Sequence, residues 1–261
     1  MLLNVSSLSL YLADIFLLLD NVSCPIVVLN GTYHTEAAAK SFSKHFNNYN
    51  IYSQEGTNSF GGVLIAVHRS IPVQQVDVFM KVPNIIALDI GSSHDKFQLA
   101  TCYSPPNEKL PIALFNQIMK RNKNTILLGD LNAKHQSWSR SNENQKGHVL
   151  FDWLLTKSMT VVNKYVATST RSNATIDLIL APAQMTGIKT SFSVLPSMGS
   201  DHLPVIWIPD IKLVKKDCQY PIKRTYWQLF EMVNLNLVES KNVESKNVER
   251  KNIENKNIER K

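Results

Sequence analysis

The chain has 261 residues, 44% hydrophobic and 19% charged, which excludes wholesale disorder and allows one large core. Its three cysteines, Cys24, Cys102 and Cys218, are odd in number and widely spaced, which argues against a disulfide framework or a cysteine zinc site and fits a reducing compartment. The net charge of +7 lies mostly at the C-terminal end, where residues 212–261 carry 12 Lys+Arg against 7 Asp+Glu, so basicity alone is a weak pointer to a polyanionic partner.

The opening stretch MLLNVSSLSLYLADIFLLLD has the apolar look of a signal peptide, but no basic residue precedes the apolar run and Asp14 interrupts it. Helical spacing predicts a core helix over 8–20 instead, and no stretch is expected to enter a membrane. Further along, apolar runs bounded by turn residues predict strands at 24–30, 49–54, 61–68, 84–90, 97–104, 125–130, 159–163, 174–180, 190–195 and 203–209. Helices fit 35–46, 110–121 and 148–158. Several neighbouring strands leave no room for a crossover helix, so antiparallel pairing must be common. The expected fold is α/β, with two packed, mostly antiparallel sheets flanked by helices in one domain over 1–210. From Glu239 the sequence repeats a five-residue unit, ESKNV ESKNV ERKNI ENKNI ERK. A period of five matches neither 3.5 nor 3.6, so its Val and Ile make no continuous helical seam, and 239–261 reads as a solvated low-complexity tail.

Chemistry concentrates where the strands end. Ile126, Leu127 and Leu128 read as a strand covered on both faces, yet the chain then presents Asp130 and Asn132 in GDLNAKH. Tyr103 stands in CYSPP, Asp177 in TIDLIL, and Asp201 with His202 in GSDHLP. Asp177 is the most telling alone, because a carboxylate in an apolar strand is costly unless paired. Together they form a toolkit for metal-assisted phosphodiester hydrolysis: a carboxylate to take a proton from water, and histidine with a hard cation to neutralise phosphoryl charge. Outside the SDH segment, His34, His45, His68, His94, His135 and His148 show no metal-ligand spacing; His135, in the GDLNAKH loop, reads as a solvated loop histidine.

In this order the motifs resemble the exonuclease–endonuclease–phosphatase superfamily, and within it the apurinic/apyrimidinic-type endonuclease domain of non-LTR (LINE-type) retrotransposons. The resemblance is carried by FGGVLIAVHRSIP (60–72), LATCYSPPNE (99–108), ILLGDLNAKHQSW (126–138), NQKGHVLFDWL (144–154), TRSNATIDLILAP (170–182) and SMGSDHLPVIW (197–207). It implies a DNase-I-like, four-layered α/β sandwich with the site at one mouth of the paired sheets. It also implies roles. Asp130 would activate water and Asn132 orient it; His202 would stabilise the transition state, oriented by Asp177; Tyr103 would contact the phosphate. Asp201 and Asn4 would lie at the metal, Mg²⁺ or Mn²⁺. The implied partner is the DNA phosphate backbone, with a monomeric protein acting in the nucleus. Residues 211–238, with KRTYWQLFEMVNLN, resemble the start of the connector toward reverse transcriptase.

One departure stands out. Where the family has a metal-binding glutamate, in a stretch like L-Q-E-T, this chain has VVLNGTYHTE with Gly31 at that position. Loss of that ligand implies weakened metal affinity and impaired turnover. Glu36, nearby, reads as the opening of a helix. Three readings therefore stand: a DNA endonuclease, impaired or not; a phosphatase of the same superfamily acting on a small phosphate ester; and a catalytically dead DNA-binding remnant.

Overall fold

The computed structural model describes residues 1–92, 96–187 and 189–211. Cys218, His94, the repeat tail, and all of the connector except Ile211 lie outside them.

Twelve strands and four α-helices are formed by these residues. In chain order they are β1 (Leu2–Asn4), α1 (Leu8–Asn21), β2 (Ile26–Asn30), α2 (Glu36–Ser43), β3 (Tyr49–Gln54), β4 (Val63–His68), β5 (Val73–Gln75), β6 (Ile85–Ile90), β7 (Phe97–Cys102), α3 (Ile112–Arg121), β8 (Thr125–Asp130), α4 (Gln145–Lys157), β9 (Met159–Val161), β10 (Asp177–Pro182), β11 (Ser191–Val194) and β12 (Val205–Ile208). One sheet has the order β11-β12-β1-β2-β4-β3, the other β5-β6-β7-β8-β10-β9. Only β1/β2 and β7/β8 pair in parallel among the described strands. Each of these two pairs is joined through a helix, α1 and α3, the crossover that parallel neighbours require.

Alternation along the strands sorts side chains into layers. In β4, Val63, Ile65 and Val67 face the second sheet, while Leu64 and Ala66 pack with Leu8 and Ile15 of α1 and Phe42 of α2. In β8, Ile126 and Leu128 face the first sheet, and Leu127 joins Phe115 of α3 and Leu150 and Trp153 of α4. The result is helix, sheet, sheet, helix. It explains why β8 is apolar at every position of its centre: both faces are covered.

The structure adds short strands and moves several boundaries. The three-residue strands β1 and β5 have too few positions to show a period. α4 begins three residues before the expected 148, because Asn144 caps it, its Oδ1 accepting the Gly147 N–H at 2.8 Å. Strand 174–180 starts at Asp177, since Ala174 and Thr175 are tied to Thr168 and Val166 in a loop. Asp177 is thus the first residue of its strand rather than an interior one. No described helix is long and apolar enough to cross a membrane.

Candidate active site

Antiparallel pairing of β8 and β10 sets Asp130 directly opposite Asp177. The last residue of one strand meets the first of the other, at the mouth where β1 also ends with Asn4. A cleft of ≈ 570 Å³ opens there, lined by Asn4, Tyr103, Asp130, Asn132, Asp201 and His202 among others. Six of the seven residues singled out from sequence therefore share one cleft. The seventh, Asp177, is fully buried behind it.

Asp130 is held on every side. Its Oδ2 accepts from Asn4 Nδ2 at 2.8 Å and its Oδ1 from the Asn132 N–H at 3.1 Å. Its own N–H donates to Asn30 Oδ1 at 2.7 Å. Burial first, then the neighbouring Asp177, pushes its carboxyl up to about 7, and the hydrogen bonds and His202 only partly counter this. His202 packs between the two acids. Its Nδ1 lies 2.7 Å from Asp177 Oδ2 and its Nε2 4.0 Å from Asp130 Oδ2. Burial opposes charging the ring, but Asp177, by charge and by hydrogen bond, outweighs it and raises His202 to about 9. An acid near neutrality beside a ring that holds its proton suits proton transfer. Burial also pushes the Tyr103 phenol up, so it stays an O–H donor.

Asp201 and Asn4, expected at a metal, have oxygens already in use. Asp201 Oδ1 accepts from Ser6 Oγ and Oδ2 pairs with Arg171 Nε, each at 2.8 Å. Asn4 Oδ1 accepts the Ser6 N–H at 2.9 Å. At this site the ligand atoms close enough to share a cation are those of Asp130, Asp177 and His202, all within 4.8 Å of one another. Asp177 Oδ1 is buried without a hydrogen-bond partner there. Gly31 sits beside them at φ +60°, with Asn4 Oδ1 in the space a Cβ would need.

Three supporting residues were not read from sequence. Asn30, fully buried, fixes the Asp130 backbone and donates to Thr101 Oγ1 at 2.9 Å; its signal was an amide just before Gly31. Arg171 reaches the cleft through Asp201. Lys146, in the first turn of α4, is buried, and its Nζ donates to Ser104 O, Ser104 Oγ and Pro105 O at 2.7–2.9 Å. Burial lowers it to about 8. It ties α4 to the segment carrying Tyr103, and Ser104 O also accepts from Asn132 Nδ2. Removing the ammonium leaves those acceptors short of a donor, so Lys146→Met is expected to cost about 1–3 kcal/mol in urea unfolding. Asn144 holds the same loop, its Nδ2 donating to Asn132 O and its Oδ1 accepting the Lys134 N–H. The close approach needs Gly147, whose Cβ would overlap the Lys134 carbonyl. His135 is buried rather than solvated, its ring stacked on Phe151 at 4.3 Å.

Comparison with known proteins adds relatives. A family described as endonuclease-reverse transcriptase matches residues 97–206. A Drosophila melanogaster protein, described as the probable RNA-directed DNA polymerase from transposon X-element, is 23% identical over 215 residues, 78% of this chain and 23% of that protein. The chain thus spans less than a quarter of that relative. Among solved structures, the endonuclease domain of TRAS1, a telomere-specific non-LTR retrotransposon, matches with a TM-score of 0.64 at 19% identity, covering 79% of this chain and 94% of that one. An AP endonuclease from Archaeoglobus fulgidus matches with a TM-score of 0.64 at 16% identity, covering 80% and 98%.

Proposed function

We propose, for a chain that belongs to the endonuclease/exonuclease/phosphatase superfamily with its DNase-I-like sandwich and is related to retrotransposon endonucleases, a metal-assisted endonuclease that nicks DNA. One observation carries the reading: Asp130 and Asp177 meet across β8 and β10 with His202 between them, at the floor of a cleft that also holds Asn4, Asn132 and Tyr103. In this reading Asp130 takes the proton of the attacking water, and Asn132 orients that water. Protonated His202, held by Asp177, faces the charge growing on the phosphoryl oxygens, and the Tyr103 hydroxyl donates to the phosphate.

A bound Mg²⁺ or Mn²⁺ would supply further neutralisation of phosphoryl charge. The carboxylates of Asp130 and Asp177 would hold it, Asp177 Oδ1 being a buried oxygen without a hydrogen-bond partner among the described residues, while His202 keeps its proton and stays outside the ligand set. With no carboxylate at Gly31, and with Asp201 engaged by Ser6 and Arg171, we infer weakened affinity. By the same relationship the substrate is chromosomal DNA, met in the nucleus by a monomer, through its phosphate backbone. The missing carboxylate at Gly31 and the engagement of Asp201 by Ser6 and Arg171 favour a second reading, a DNA-binding remnant of the same fold.

Nicking of supercoiled plasmid with Mg²⁺ or Mn²⁺ separates the two. Metal-dependent conversion to open circles is expected; binding without conversion at any metal concentration would leave the remnant. Release of phosphate from a small ester without nicking would point to a phosphatase. The pH profile follows from the two raised groups. The base must lose its proton, so kcat/KM is expected to rise as pH passes about 7; His202 must keep its proton, so kcat/KM falls above about 9. Asp177→Asn removes what holds His202 up, and the falling limb is expected to move to lower pH.

A further inference from the structure

Behind the loop that follows β8, on the side of α4, lies a second group of metal-capable side chains. We propose that His135, Glu143 and His148 bind a transition-metal ion of the zinc type, separately from the cleft. His135 Nε2 lies 3.6 Å from Glu143 Oε1, and His148 Nε2 lies 3.6 Å from Glu143 Oε2. The ligand atoms of all three are within 4.8 Å of one another. Donors bound tetrahedrally to zinc at its usual bond lengths are about 3.4 Å apart, so the three need to close by only a fraction of an ångström to one ångström or so. Two imidazoles and one carboxylate suit zinc rather than magnesium, and three protein ligands leave a fourth position for water.

The donors are held from behind. The His135 ring is stacked on Phe151 and lies 5.1 Å from the Trp138 ring. Glu143 Oε1 accepts the Gln136 N–H at 2.9 Å, the kind of outer contact that orients a ligand. The His148 side chain is 51% exposed and gives an ion its way in. His135 Nδ1 accepts the Ser137 N–H at 3.2 Å, so the free ring carries its proton on Nε2. Taking up an ion moves that proton to Nδ1 and gives up this long contact. No short motif announces the site, because its ligands stand 8 and 5 residues apart and only the turn before α4 brings them together. The ion would clip the loop carrying Asn132 to the start of α4, beside the Asn144 clamp. The site stands whether or not the cleft hydrolyses phosphodiesters.

The test is calorimetric titration of the full chain, stripped with chelator, with Zn²⁺ near neutral pH, together with thermal unfolding. His148→Ala and Glu143→Gln alter partly exposed side chains, and Asp177→Asn probes the cleft. Wild type and Asp177→Asn are expected to bind one equivalent tightly and to unfold at higher temperature with Zn²⁺. The other two variants are expected to bind about tenfold more weakly or worse and to lose the thermal shift. Three results would overturn the proposal: no Zn²⁺ binding by wild type, binding unchanged in both His148→Ala and Glu143→Gln, or loss only in Asp177→Asn.

Discussion

Replacing Asp130 by asparagine is expected to lower plasmid nicking by about 10²–10⁴-fold, the usual worth of a positioned general base, with little change in stability. Activity falls because an amide cannot take the proton of water. Stability changes little because two effects oppose. The substitution removes a buried carboxylate facing Asp177, which relieves both the burial cost and the repulsion that raise Asp130. It also places an NH₂ against a donor, since both Asp130 oxygens accept hydrogen bonds, from Asn4 Nδ2 and from the Asn132 N–H. Nicking rates and thermal unfolding of purified wild type and variant check both halves. Retained nicking would remove Asp130 from the chemistry, and lost nicking with a collapsed fold would make it a structural residue.

Gly31→Glu is expected to damage the site rather than restore a ligand. From sequence, position 31 reads as a place where a carboxylate has been lost. In the fold, Gly31 has φ +60°, a left-handed conformation that costs a side-chain-bearing residue about 1–2 kcal/mol. Its Cβ would also overlap Asn4 Oδ1, and forcing a group into filled space costs about 1–3 kcal/mol more. Unfolding in denaturant is therefore expected to show a loss of about 2–5 kcal/mol. Nicking is expected to fall as well, because Asn4 is the residue that holds Asp130 Oδ2. Asn4→Ala in the same chain removes the overlap, so a double-mutant cycle is expected to return about 0.5–3 kcal/mol of coupling. Wild-type stability and higher activity in Gly31→Glu would show that the backbone there can reshape around a ligand.

Much of the fold was legible because burial leaves a period. β3 and β8 run where apolar stretches bounded by turn residues place them, at 49–54 and 125–130. The helix expected over 8–20 is α1. β1, ending at Asn4, was read only through the family resemblance, and β5 was not legible, since three residues cannot display an alternation that neighbouring strands then impose. α4 was misplaced at its start because its cap, Asn144, is also a clamp on a loop from elsewhere in the chain.

For the site, residue types and their order along the chain singled out Tyr103, Asp130, Asn132, Asp177, Asp201 and His202, and the family resemblance added Asn4. A carboxylate beside an apolar run needs a partner. What each does to the others was decided only by the tertiary structure. Asp130 becomes a near-neutral acid because packing buries it and Asp177 faces it across a strand pair, and Asp201 becomes half of an ion pair because Arg171 reaches it. Lys146 and the cluster of His135, Glu143 and His148 carry no local signature, for the same physical reason. Local sequence sets what a segment would bury, whereas electrostatics and coordination depend on distances between groups far apart along the chain, such as Asn4 and Asp130, and those distances exist only once the sheets have packed.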